Sequence, residues 1–228
     1  MKTETEVSGQ LTFDLPVRTA LGREAFSISS SNARAAAQID DWANWPKRKL
    51  VLHGPSGAGK THLARVWSSM TDATVVSARE LTDQSLQVRD GTRIVVEDVP
   101  EIGANAPAQV ALFHLHNELE ATGGWLLMTG IGAPVSWPLG LPDLASRVQA
   151  CAVAQLFPPD DALLSHVLVK LFQDRQLSPR PKVVAWLVRH MERSFSEASR
   201  VVDEMDRRGL AEKRKLSIGL ASEVVKGT

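Results

Sequence analysis

Cysteine is nearly absent. Cys151 is the single one in 228 residues, so no disulfide can form within the chain, which fits a reducing cytosol. Its apolar neighbours Ala150, Ala152 and Val153 predict a buried strand position, not a reactive thiol. Net charge is also absent, with 26 Lys and Arg against 26 Asp and Glu. Proteins whose main work is gripping phosphate backbones usually carry a basic surplus, so direct sequence-specific DNA binding is not the expected activity. No apolar run approaches the roughly 20 residues of a membrane span, and Met1 to Gly9 is polar, without a signal-peptide core. The chain is therefore expected in the cytoplasm, away from membranes.

The length suits one medium α/β domain with a small companion. After the polar start, Leu11, Phe13 and Leu15 alternate through an extended segment from Gln10 to Pro16. Residues 32–45 place Ala35, Ala36, Ile39 and Trp42 at helical spacing, with Pro46 as the stop. Strands are predicted at Lys49–His53, Thr74–Ser77, Arg93–Glu97, Trp125–Thr129 and Ala150–Leu156. Helices are predicted between them, one from about Lys60 to Met70 and one from Pro107 to the Gly123-Gly124 pair. Alternating strand and helix imply a five-stranded parallel sheet covered on both faces. Beyond Pro158-Pro159 only helical spacing remains, with Gly209 predicted to stop the third helix and Ser217 to begin the last. The expected fold is α/β followed by a small α-helical domain, divided as tail 1–20, α/β domain 21–157 and helical domain 158–228.

The chemistry is concentrated in Gly54-Pro55-Ser56-Gly57-Ala58-Gly59-Lys60-Thr61, which fits G-x-x-x-x-G-K-[ST] and lies between a predicted strand and a predicted helix. Glycines let the backbone curl so that successive N–H groups point at phosphate oxygens, and the helix start adds its positive end. Lys60 can reach the β- and γ-phosphates, and the Thr61 hydroxyl can ligate Mg²⁺. ADP or ATP with Mg²⁺ is the expected ligand. A P-loop also needs acids at the end of a neighbouring strand. Ile94-Val95-Val96 leads into Glu97-Asp98, one to hold Mg²⁺ through water and the other to orient the attacking water. The usual first acid is Asp, so Glu97, one methylene longer, leaves both candidates open.

Three stretches resemble the DnaA/Hda family of AAA+ proteins: Ser31-Asn32-Ala33-Arg34-Ala35, the P-loop extended through Thr61-His62-Leu63-Ala64, and Leu141-Pro142-Asp143-Leu144-Ala145-Ser146-Arg147. The resemblance covers roughly residues 10–226. It implies an AAA+ fold with a lid, and a nucleotide held by residues 54–62, including His62. It further implies a polar sensor at Thr129, a lid arginine at Arg193 and an arginine finger at Arg147 that acts on a neighbour's nucleotide. Ser194 to Glu197 forms the pattern of a capping box, which would set Arg193 just ahead of a helix. Gln10, Leu11, Phe13 and Leu15 resemble the family's sliding-clamp-binding peptide, departing from it at Phe13 and Asp14. The chain stops after the lid segment, where an initiator would continue into a DNA-binding domain. The implied partners are DnaA and the β sliding clamp of DNA polymerase III, with a homodimer of this chain open beside them. The implied function is an adaptor that stimulates hydrolysis of DnaA-bound ATP and restrains re-initiation of replication. A self-acting ATPase, or a helicase-loader-like protein, uses the same residues and stays open.

Other groups predict little chemistry. His114 and His116 are two apart on a helix and diverge. Lys213-Arg214-Lys215 has the pattern of a solvated face, and the six tryptophans are too scattered in sequence for a stacking platform.

Overall fold

The structure, a computed structural model, describes residues 27–82 and 87–227. The candidate docking peptide at Gln10, Leu11, Phe13 and Leu15 lies outside them. Strands β1 (Lys49–His53), β2 (Thr74–Ser77), β3 (Arg93–Glu97), β4 (Trp125–Gly130) and β5 (Ala152–Gln155) form one parallel sheet in the order β2-β3-β4-β1-β5. All five residues of the interior strand β1, between β4 and β5, are buried, as a strand covered on both faces requires. Leu50 and Leu52 pack on one face with helices α1 (Ala33–Asp40) and α2 (Lys60–Thr71), through Ile39, Leu63 and Trp67. Val51 turns to the other face, against α3 (Ala106–Ala121) and α4 (Pro142–Gln149), through Leu112, Leu119, Leu144 and Val148.

Helices α5 (Asp161–Asp174), α6 (Pro181–His190), α7 (Phe195–Ala211) and α8 (Ile218–Lys226) enclose their own core, including Leu168, Phe172, Leu187, Val202 and Leu220. Ser217 caps α8 as the sequence predicts, accepting from Leu220 N at 3.2 Å.

Several boundaries differ from expectation. The helix predicted over 32–45 ends at Asp40. There the chain folds back in short 3-10 turns, so that Trp45 donates to Gln38 O at 2.7 Å and stacks on Trp67 at 5.1 Å. Trp42 meets Trp125 edge-on at 5.3 Å, so four of the scattered tryptophans gather in two pairs. Trp45 and Trp67 are buried, which makes that pair core packing. Gly209 does not stop α7, which runs on to Ala211. The left-handed turn falls at Lys213, φ 51, and Glu204 braces the last turns by pairing with Arg207 and Arg208. Cys151 precedes β5 and is half-buried. Its thiol lies 3.3 Å from Arg147 O, and burial raises its pKa to about 11, which keeps it protonated and unreactive.

Candidate functional site

β1 delivers the chain into the P-loop at the carboxyl edge of the sheet, where open α/β sheets hold ligands. Gly57 and Gly59 have φ of +67° and +95°, left-handed conformations that a side chain resists. Space is closed there too. A β-carbon on Gly57 would sit 2.5 Å from Ser194 Cβ, and one on Gly59 would sit 3.0 Å from the Phe195 ring. The lid therefore rests directly on the loop, tied by Phe195 N donating to Gly57 O at 2.8 Å.

Lys60 opens α2 and is buried. Its ammonium donates to Gly54 O at 3.1 Å and Pro55 O at 2.8 Å, curled over the rim of the loop. Burial lowers its pKa, and the nearby Asp98 carboxylate opposes that shift. Lys60, Thr61, Gly57, Asp98 and Phe195 help line a cavity of about 360 Å³. A second, largely apolar cavity of about 230 Å³ adjoins it, lined in part by Asn32, His62, Leu163, Val167 and Phe195. Gly59 and Phe195 border both. The pair has the dimensions of a polar chamber for a phosphate chain beside an apolar one for a flat ring.

The apolar chamber is framed by local bonds. Asn32 is buried, accepts from Ser29 N at 2.8 Å and donates to Ser27 O at 2.9 Å, which pins the segment before α1. Ser30 donates to Asp160, whose other oxygen caps α5 through Leu163 N at 2.9 Å. His62 is half-buried. Burial, then Lys170 and Arg65, lower its pKa, so it is neutral at physiological pH.

Of the two strand-end acids, Asp98 lines the phosphate chamber with Lys60 and Thr61, and Glu97 does not. Glu97 shares its face of β3 with Val95, toward α2, and its Oε1 is buried with no hydrogen-bond partner among the described residues. Asp98 turns out of the strand with φ +57°, and its N–H donates to the buried Thr129 hydroxyl at 3.1 Å. Thr129 thus positions Asp98 directly. Among the described residues no three His, Cys, Asp or Glu side chains cluster as a metal cage. Mg²⁺ commonly takes one or two protein oxygens and completes its shell with water and phosphate, so Thr61 and Asp98 fit its needs.

The two arginines fall elsewhere. Arg193 lies just before α7, where Ser194 Oγ accepts from Glu197 N at 3.1 Å. The capping box is half-formed, because Glu197 turns to Arg200 instead of back to the cap. Arg193 pairs with Asp161 at 2.7 Å and does not line the phosphate chamber. Arg147 is in the last turn of α4, over the Phe113 ring at 5.0 Å, and shares a cavity with Lys49 at the opposite end of β1. Leu163, Val167 and Phe195 were not marked as site residues by the sequence. Their apolar spacing is that of ordinary core positions, and only the docked lid aims them at the P-loop.

P-loop, acid-tipped β3, polar β4 end and helical lid together define an AAA+ module. More particularly, the fold is similar to that of DnaA domain III. Residues 161–225 match the family described as "Hda, lid domain". The chain is 24% identical to the chromosomal replication initiator protein DnaA of Bacteroides thetaiotaomicron across 90% of its length, and spans about half (48%) of that relative. It superposes on domain III of Thermotoga maritima DnaA with a TM-score of 0.79 at 18% identity, covering 93% of this chain and 98% of that one. AMPPCP-bound DnaA from Aquifex aeolicus gives 0.67 at 16% identity, over 88% and 68%. The Thermotoga maritima RuvB branch migration motor gives 0.68 at 14%, over 92% and 73%. No helix among the described residues is long and apolar enough to cross a membrane.

Proposed function

We propose that this chain is an adenine-nucleotide-binding regulatory adaptor that acts with the sliding clamp on DnaA-bound ATP, supplying Arg147 to stimulate hydrolysis and so repress re-initiation. The observation that carries this reading is the position of Arg147. It lies at the end of β1 remote from this chain's own P-loop, partly exposed, a position that suits action on a nucleotide presented by another subunit. The Hda-type lid and the DnaA homology support the same partner. In this reading the Gly54–Thr61 loop cradles the phosphates of ADP or ATP, and the apolar chamber takes the base. Thr61 and Asp98 hold Mg²⁺, which would supply charge neutralisation between phosphates. Glu97 supports that site from the α2 face, and Arg193 reaches it once released from Asp161.

The test is ATP hydrolysis measured with this chain alone, DnaA alone, and both with DNA-loaded clamp. Stimulation only in the complete mixture supports the adaptor. A second reading, turnover of its own ATP, is favoured by Asp98 beside Lys60 and Thr61, and comparable hydrolysis by the chain alone would establish it in place of the first.

Two further results are expected. Phe195→Ala should weaken ADP binding about tenfold, since an aromatic ring against a base is worth roughly 1–3 kcal/mol. Calorimetry giving unchanged affinity would remove Phe195 from the base site. Removing residues 1–16 should abolish binding to immobilised clamp while leaving ADP affinity and thermal stability intact. Clamp binding at full strength by the shortened protein would place the docking element elsewhere.

A further inference from the structure

Around Arg147 is a cavity of about 270 Å³, separate from the nucleotide chambers, that places three nitrogen donors about one oxygen. Glu120 Oε2 lies 3.5 Å from Lys49 Nζ, 3.6 Å from Arg147 Nη1 and 3.9 Å from His116 Nδ1. Charge-assisted N–H···O bonds close to about 2.7–2.9 Å, so none of the three is a well-made hydrogen bond. The two inner donors are sealed from water. Lys49 is 1% exposed and His116 4%, and among the described residues neither Lys49 Nζ nor His116 Nδ1 has a hydrogen-bond partner. A buried ammonium with one loose counter-ion is costly, and such a group is retained where something else completes its shell.

The charge around the cavity is unbalanced. Lys47, Lys49 and Arg147 line it against the single carboxylate of Glu120, among the described residues. Glu120 is 46% exposed and reaches in from the last turns of α3, so it can withdraw to water at little cost. His116 is neutral at physiological pH, since burial, then Lys49 and Arg147, push its pKa down to about 4. A neutral imidazole can donate one hydrogen bond without adding charge. Lys49, Arg147 and the neutral His116 donor are all too far from the oxygen now at their centre, with Lys47 a third cation on the lining, and what fits such a pocket is a larger and more highly charged oxyanion.

The geometry points to a phosphate-binding site formed by Lys49, His116 and Arg147, in which the Glu120 carboxylate occupies the place of a phosphate oxygen until a phosphate displaces it. This rests on the adaptor reading for its natural ligand, the terminal phosphate of a nucleotide held by a neighbouring AAA+ subunit. Free inorganic phosphate offers the same chemistry. In this arrangement Arg147 does not act as an isolated finger. Lys49 supplies a second cation behind it, and Glu120 sets a threshold that only a strongly anionic group passes.

The experiment saturates the full chain with Mg·ADP to occupy its own P-loop, then titrates inorganic phosphate while following heat and the His116 ring resonances. The wild type is expected to bind phosphate with the His116 signals moving in step. Glu120→Gln removes a like charge and should tighten binding about tenfold or more, whereas Lys49→Met and Arg147→Ala should each weaken it by at least about tenfold. Opposite signs in neighbouring residues cannot arise from a general loss of structure. If Lys49→Met fails to fold, Glu120→Gln alone decides the matter. Phosphate binding that leaves His116 unmoved, or a Glu120→Gln variant no tighter than wild type, overturns the site. A second arm replaces phosphate with DnaA·ATP or DnaA·ADP. Tighter binding of Glu120→Gln to the ATP form alone identifies the neighbour's terminal phosphate as the source, and an equal response to both forms leaves free phosphate as the ligand. If Lys49→Met and Glu120→Gln behave as wild type in both arms while Arg147→Ala still loses stimulation of DnaA, the cavity proposal fails and the adaptor reading stands.

Discussion

If the proposed adaptor reading holds, Arg147→Ala should leave this chain's affinity for its own nucleotide and for the clamp unchanged, and should remove the stimulation of DnaA-bound ATP hydrolysis that the reading assigns to it. The separation follows from the sheet. Lys49, at the start of β1, lines the Arg147 cavity, whereas His53, at its end, leads into the P-loop. Five strand residues at about 3.3 Å each keep the two ends about 13 Å apart, so Arg147 cannot reach nucleotide bound in the same chain. Its side chain is oriented without being locked, by the Phe113 ring at 5.0 Å and a loose pairing with Glu120 at 3.6 Å. That leaves the guanidinium free to exchange partners. Fingers supplied in trans contribute about 10³–10⁵ in rate, so the loss should be near complete. Arg147→Lys should not restore it, because an ammonium lacks the planar fork that matches two phosphate oxygens. The measurement is single-turnover hydrolysis of DnaA-bound ATP in the presence of loaded clamp. Wild-type stimulation by Arg147→Ala would leave the arginine with a packing role only, and the adaptor would need another cation.

Much of the nucleotide module was legible because its signals are local. A strand of five buried residues, a glycine loop and a helix start follow one another within a dozen positions, and the structure places β1, β2 and β3 at the residues their apolar runs predict. Legibility failed where two distant segments decide an outcome together. Helix α4 was hidden because Leu141 to Arg147 is short and opens on Pro142, and its burial depends on α3. Leu163 and Val167 look like lid core in sequence, yet they face the chamber beside Gly59, about a hundred positions earlier in the chain. Glu97 and Asp98 are adjacent and chemically alike, and only the left-handed turn at Asp98, held by Thr129 from another strand, decides which enters the phosphate chamber. The family resemblance implies a lid arginine at Arg193, and nothing near it in sequence announces its partner, Asp161, which belongs to a different helix. Gly209 misled for a related reason. Glycine costs a helix only about 1 kcal/mol, which ion pairs and packing on neighbouring turns offset.

Lys60→Met should abolish ADP and ATP binding at accessible concentrations while preserving the fold. Methionine keeps most of the unbranched stem that lies buried at the start of α2 and removes only the charge. In the structure the ammonium is held by Gly54 O at 3.1 Å and Pro55 O at 2.8 Å, two neutral acceptors at the loop rim. Burial lowers its pKa and Asp98 pulls the other way, so the cation is poised in a place where protein alone satisfies it weakly. Phosphate oxygens are the stronger acceptors for such a group. Each hydrogen bond to a charged partner is worth about 1.5–3 kcal/mol, and two of them correspond to about 10²–10⁴ in affinity. Two carbonyls lose a donor in the variant; Pro55 is exposed, so water can replace the donor there, and the buried Gly54 O loses only the longer bond of 3.1 Å, so melting in the absence of nucleotide should fall modestly. The wild type should gain stability with added ADP, by about 2.7 kcal/mol at a hundredfold excess over Kd, and the variant should gain none. Calorimetry and thermal melts with and without ADP read the two effects independently. Unchanged ADP affinity in the variant would mean that the loop's backbone N–H groups and the start of α2 hold the phosphates by themselves.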